Sequence, residues 1–154
     1  MRIIWSPEYE LGIAVIDRQH QRIVELINTL DRLIDEPDAH LGVSRVLYDL
    51  VDYTESHFGF EEALMKEAGF DGLDEHHQAH ENFVRQIGVM QRRHEAGEDV
   101  AGLLLALLER WLMQHILAED VGYTGRVNAW IERIGRDGLG AWINDNLRRH
   151  FRHP

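Results

Sequence analysis

Five histidines and two carboxylates of this chain stand where a helical protein would place leucine. His57 and Glu61, in the stretch ESHFGFEEALM, are four residues apart and share a helix face with Leu47, Leu50, Thr54 and Met65. That spacing marks a buried stripe. His20 stands in the stripe Ile16, Ile23, Ile27, Leu30 and Ile34, and His76 and His80 in the stripe Leu73, Phe83, Ile87 and Met90. His115 follows Leu104, Leu108, Trp111 and Leu112, with Asp120 five residues further on. A buried charge needs a partner and a buried neutral polar group needs a hydrogen bond. One such histidine alone reads as an ordinary bonded core residue. For seven donors together, with no Lys or Arg on the stripes beside them, a bound cation is the simplest partner and their number suits two; a satisfied polar core is the competing reading. Imidazole and carboxylate without sulfur fit iron, zinc or manganese. Two familiar spacings are missing. No Glu has a His three residues on, as carboxylate-rich di-iron bundles need, and the His-Glu-x-x-His of zinc proteases is absent.

The elements that must position these donors read as helices. Periodicity predicts helices over about 13–34, 43–67, 73–95 and 101–122, broken by DEPDAHLG (35–42), AGFDGLD (68–74) and EAGED (95–99). Short connections between long helices favour antiparallel neighbours, hence an all-α, up-down-up-down four-helix bundle over residues 1–124. Counted from the turns near 38 and 97, the seven donors fall within a slab roughly 9 Å thick. Residues 125–154 form a separate compositional unit with two apolar patterns. Val127, Trp130, Ile131 and Ile134 make the first; Leu139, Trp142, Ile143, Leu147 and Phe151 make the second, beyond Gly135, Gly138 and Gly140. This reads as a C-terminal helical extension, packed on the bundle or serving through Trp130, Trp142 and Phe151 as a homodimer or partner interface. The remaining histidines carry less: His40 lies in a loop, His77 off its stripe, His94 at a helix end, and His150 and His153 close the chain.

Bulk properties set the frame. A chain of 154 residues is most simply one domain and buries roughly 70% of its extended surface on folding. With no cysteine it has neither disulfide nor thiolate ligand nor cysteine nucleophile. The longest apolar run, VAGLLLALL, is about half the roughly 20 residues of a membrane span, and the amino terminus lacks a secretory apolar region. The expectation is a soluble, cytoplasmic protein. A net charge of -11 argues against nucleic acid and anionic membranes as partners. The 125–154 segment, with six Arg against three acids, is locally basic.

His20 in IDRQHQRI, then HFGFEEALM (57–65), HHQAHENF (76–83) and HILAED (115–120), in that order, resemble the bacterial hemerythrins. The likeness covers roughly 1–124, and the extension is expected to depart from it. The resemblance implies a non-haem pair of iron ions that binds O2 reversibly. It assigns His76, His80 and His115 to one iron and His20 and His57 to the other, with Glu61, Asp120 and an oxo or hydroxo group bridging. On that count one coordination position stays open on the iron with two histidines. Glu119, four residues from His115, is the rival of Asp120, and the family pattern selects Asp120. Residues five apart sit about 140° apart on a regular helix, so a local π-bulge is expected there. Trp111 and Leu117 are expected to line the O2 pocket, with Phe58, Phe83, Leu112 and Ile116 excluding water. Tyr53 and Glu62 are expected not to touch the ions. The implied role is O2 storage, delivery or sensing without turnover. The alternatives are a di-iron enzyme acting on NO or peroxide or repairing clusters, with Glu119 or His77 as proton donor, and a module whose metal only fixes the fold.

Overall fold

The computed structural model describes residues 2–151; Met1 and residues 152–154, His153 among them, lie outside the described residues. A 3-10 turn at Pro7–Tyr9 precedes helices α1 (Ala14–Leu33), α2 (His40–Ala68), α3 (Leu73–Glu95) and α4 (Ala101–Gln114). Each packs on the next and α4 returns to α1, which is the expected four-helix bundle. No strand forms among the described residues. Local chemistry fixes the helix ends. The buried Asp17 carboxylate accepts the N–H groups of Leu11 (2.8 Å) and Gly12 (3.1 Å), pinning the chain as it enters α1. α2 stops at Gly69, whose φ of 71° suits a residue without Cβ, and the Phe70 N–H closes back on the Met65 carbonyl at 3.0 Å.

Beyond α4 the chain differs from the sequence reading. Regular α-helix ends at Gln114, not near 122; a π turn (His115–Glu119) and a 3-10 turn (Asp120–Tyr123) lead without a loop into α5 (Thr124–His150). α5 lies against α2. It bends at Gly135, where φ 76° and ψ 175° suit only glycine. Trp130 and Trp142 would stand about 18 Å apart along a straight helix, yet their rings meet edge to face at 5.4 Å. Gly138 and Gly140 lie inside the helix after the bend and break nothing. Gly135→Ala is therefore expected to cost about 1–3 kcal/mol, read as a lowered chemical-denaturation midpoint. An unchanged midpoint would show that the bend does not need glycine.

Two apolar clusters enclose a polar layer. Ile23, Ile27, Leu30, Leu47, Leu50, Phe83, Leu108 and Leu112 fill one end. Ile13, Ile16, Phe60, Leu64, Met65, Tyr123, Val127, Trp130 and Phe151 fill the other, beneath α5. Along each bundle helix the polar residues fall between the two: His20 between Ile16 and Ile23, His57 and Glu61 between Leu50 and Leu64. Each fully buried Leu, Ile or Phe contributes about 1.5–3 kcal/mol, and both clusters together offset the cost of the layer between them. The stretch 101–150 contains one window that reaches the length and mean hydropathy of a membrane span, 1.2. Leu104, Leu105, Leu108 and Leu112 of that stretch are buried in the bundle core, while Leu103 is 59% exposed. Trp130 and Phe151, proposed from sequence as interface anchors, are likewise buried within the chain; Trp142 is half-buried.

Candidate metal centre

The structure brings all seven sequence-predicted donors into one layer. His20, His57, Glu61, His115 and Asp120 have no exposed surface, His80 has 1% and His76 6%. Glu61 is the hub. Its Oε1 lies 2.9 Å from His76 Nε2, 3.1 Å from His80 Nε2 and 3.5 Å from His115 Nε2; its Oε2 lies 3.2 Å from His57 Nε2 and 4.0 Å from His20 Nε2. Asp120 places Oδ2 2.8 Å from His115 Nε2 and 2.9 Å from His20 Nε2, and Oδ1 3.0 Å from His76 Nε2.

Apart from the His76 Nε2–Glu61 Oε1 hydrogen bond, most of these close approaches are poorly aligned as hydrogen bonds. The Nε2 atoms of His20 and His80 and both Asp120 oxygens have no hydrogen-bond partner despite lying near one another. Donor atoms that converge on shared points without bonding each other are arranged for ions. Two groups of donor atoms, each mutually within 4.8 Å, can be drawn: His20, His57, Glu61, His115 and Asp120, and Glu61, His76, His80 and His115. The groups share Glu61 and His115, so the donor set fits two cations with a carboxylate in common.

A π turn closes on the fifth residue, which swings Asp120 over His115 and into the layer. Glu119 is then left behind the ring, where His115 Nδ1 donates to its Oε2 at 3.3 Å. The family resemblance placed Leu117 on the O2 pocket, but it faces solvent and is 50% exposed. Ile116, at 1%, stays inside. Phe58 stacks on His80 at 3.7 Å, Phe83 stacks on Trp111 at 3.9 Å, and Trp111 stacks on His115 at 4.8 Å. Leu112 completes this wall.

Sequence reasoning missed part of the supporting layer. His57 Nδ1 donates to the buried Gln19 Oε1 at 2.7 Å, and His80 Nδ1 donates to Glu62 Oε2 at 3.1 Å, while His77 Nδ1 donates to Glu62 Oε1. Such acceptors fix the tautomer that leaves Nε2 free as a ligand. Tyr123, fully buried, donates its O–H to Glu61 Oε2 at 3.1 Å. Gln19 follows no stripe and Tyr123 lies past the predicted helix end, so periodicity flagged neither. His94 is an ordinary satisfied core residue, bonded to Ser44 Oγ at 3.1 Å and stacked on His40.

The electrostatics are those of acids and bases competing for protons. Burial pushes His57 down to about 4. Burial also opposes charge on His76, yet the Asp120 and Glu61 carboxylates beside its Nε2 lift it to about 9. His115 is likewise lifted well above the usual range, its burial outweighed by Asp120 and Glu61. Burial would raise both carboxyls, and Glu61 raises Asp120 further, but the surrounding imidazoles hold both down. Burial and then the two carboxylates raise Tyr123, keeping it a neutral donor. The metal-free layer thus neutralises itself with protons that a cation must displace. Uptake of a divalent cation at pH 7 is expected to release protons, and apparent affinity to rise with pH through about 9, where His76 is half deprotonated. The stability linkage has the opposite sign. His76 titrates higher folded than unfolded, so its contribution to metal-free stability is full below about 6.5 and is lost as pH rises through about 9. Proton-neutral uptake in a pH-stat titration would contradict this.

Comparison with known proteins adds an independent line. Residues 11–127 match the family model described as the hemerythrin HHE cation binding domain. The chain is 40% identical over 150 residues to a bacteriohemerythrin of Pseudomonas paraeruginosa, and 37% identical over 150 residues to one of Stenotrophomonas maltophilia, covering 97% of each chain in both cases. A bacteriohemerythrin of Clostridium acetobutylicum is 27% identical over 126 residues, 78% of this chain and 97% of that one. The fold is similar to a crystal structure of a hemerythrin point variant, with a TM-score of 0.77 and 24% identity over 82% of this chain and 98% of that one. The full-length matches correct the expectation that the C-terminal extension departs from the likeness: the Pseudomonas and Stenotrophomonas relatives align through it.

Proposed function

Because the chain belongs to the hemerythrin family, which binds a di-iron centre, we propose that it binds O2 reversibly, for storage, delivery or sensing. His76, His80 and His115 would hold one iron and His20 and His57 the other, with the Glu61 and Asp120 carboxylates available to both. When bound, the ferrous pair supplies the electrons that O2 takes up on binding and returns on release. The protein's own task is to hold the ions rigidly and keep the gas side dry. Gln19, Glu62 and Glu119 orient three of the imidazoles from behind.

The observation that carries this reading is the composition of the wall beside the layer. Phe58, Phe83, Trp111, Leu112 and Ile116 offer no acid to a bound gas. The acids an enzyme would use are elsewhere: Glu119 stands behind His115, and His77 is a surface residue engaged with Glu62. Excluding water and proton donors favours release of the gas over its reduction. The protein is read as a water-soluble cytoplasmic one that binds without turnover. The visible spectrum with and without O2, beside an iron assay, tests this. About two irons per chain and colour that bleaches when O2 is removed are expected. A colourless zinc form, or steady consumption of NO or peroxide with a donor, would replace the reading with a structural module or an enzyme.

A further inference from the structure

The geometry points to a holding site for one small neutral gas molecule, a diatomic such as O2, in a cleft between α2, α3 and α4 beside the metal layer. Its role as a stage on the way to the irons rests on the O2-binding reading; its existence as a gas site does not. The cleft is floored by buried Leu50, Thr54, Phe83, Ile87 and Leu108, and rimmed by half-buried Val51 and Val84 and exposed Glu55. It holds about 10 Å³ of space for the centre of a water-sized molecule, which is room for one.

One buried polar side chain lies in this apolar floor. Thr54 is 3% exposed and its Oγ1 has no hydrogen-bond partner. Hydroxyls inside helices commonly bond the carbonyl four residues back. Thr29 does so to Glu25 at 2.9 Å and Ser56 to Asp52 at 3.0 Å. Thr54 does not, and an unmade buried bond costs free energy. A water molecule would not repair it well, because water needs several polar partners and the floor offers this one alone. A neutral diatomic, which needs no polar partner, loses nothing in the apolar cleft.

Position completes the case. Thr54 precedes His57 by three residues and Phe58 by four, about one helical turn along α2. Phe83 is a wall common to the cleft and to the aromatic stack. It meets Phe58 edge to face at 6.0 Å and stacks on Trp111, which lies on His115. A molecule in the cleft is separated from the metal layer by the Phe58–Phe83 pair.

Crystals of the iron-loaded protein pressurised with krypton test the site directly. Krypton is expected in contact with Thr54, Phe83 and Leu108; ordered water there, or no krypton, would overturn the proposal. Val84→Phe, at the rim and away from every metal-binding residue, is expected to slow O2 association and release together by several-fold while iron content and affinity stay unchanged. Val84→Met serves if the larger ring does not fit. Unchanged rates in a variant that excludes krypton would overturn the staging role. Krypton in the cleft of a protein that never colours with O2 would instead sink the proposed function and leave the gas site standing.

Discussion

Glu61→Ala is expected to abolish the di-iron centre, leaving well under one iron per chain after reconstitution and no O2-dependent colour. Glu61 is approached by imidazoles from α1, α2, α3 and the π turn after α4, and by the Tyr123 hydroxyl, so it ties the layer together. Its loss leaves Asp120 as the sole carboxylate at the Nε2 atoms of His76 and His115. Breaking a buried ion pair by removing one partner costs about 3–5 kcal/mol, although deprotonation of the abandoned imidazoles will recover part of that. Metal-free Glu61→Ala should therefore melt lower than the metal-free parent, and its His76 should titrate below about 9. Glu61→Gln separates charge from shape: it keeps the volume and a hydrogen-bonding oxygen but not the negative charge, and should bind iron weakly. Glu119→Ala is the contrast, since that side chain only backs His115; it should keep both irons. Two irons and reversible colour in Glu61→Ala would mean that the bridge lies elsewhere.

The donors were legible in the sequence because a histidine on an apolar stripe is conspicuous, and because antiparallel helices let their heights be compared. Spacing alone could not choose between Asp120 and Glu119. A regular helix favours the residue four from His115, and only the π turn explains why the fifth points inward. Leu117 was placed by resemblance and not by periodicity, and the structure leaves it 50% exposed. Gly135, Gly138 and Gly140 looked equivalent as breakers, but only Gly135 takes a positive φ. The other two sit in regular helix, which is why a two-piece tail became one bent helix continuous with α4. Gln19 and Tyr123 were invisible for another reason. A supporting residue is defined by what it touches across the bundle, and sequence periodicity reports only the face of its own helix.

α5 tests whether the extension is part of the metal protein's architecture or an appendage to it. Trp130 is 4% exposed and packs in one cluster with Ile16, Phe60, Met65, Tyr123 and Val127. Trp130→Ala is expected to cost about 3–5 kcal/mol through lost burial and the cavity left behind. For a domain of this size that is a fall in Tm of roughly 10 °C. The cluster also seats Tyr123, whose hydroxyl holds Glu61. Trp130→Ala should then lose iron to a chelator faster than the parent, whereas Trp130→Phe should recover most of both properties. Tyr123→Phe separates the two causes: it removes the bond to Glu61 while keeping the ring, so it should speed iron loss with little change in Tm. Because Trp130 and Phe151 are buried within the chain, the oligomeric state should not change in Trp130→Ala. A variant that melts like the parent but runs at a smaller mass would place these side chains in a subunit interface and remove α5 from the account of how the metal layer is held.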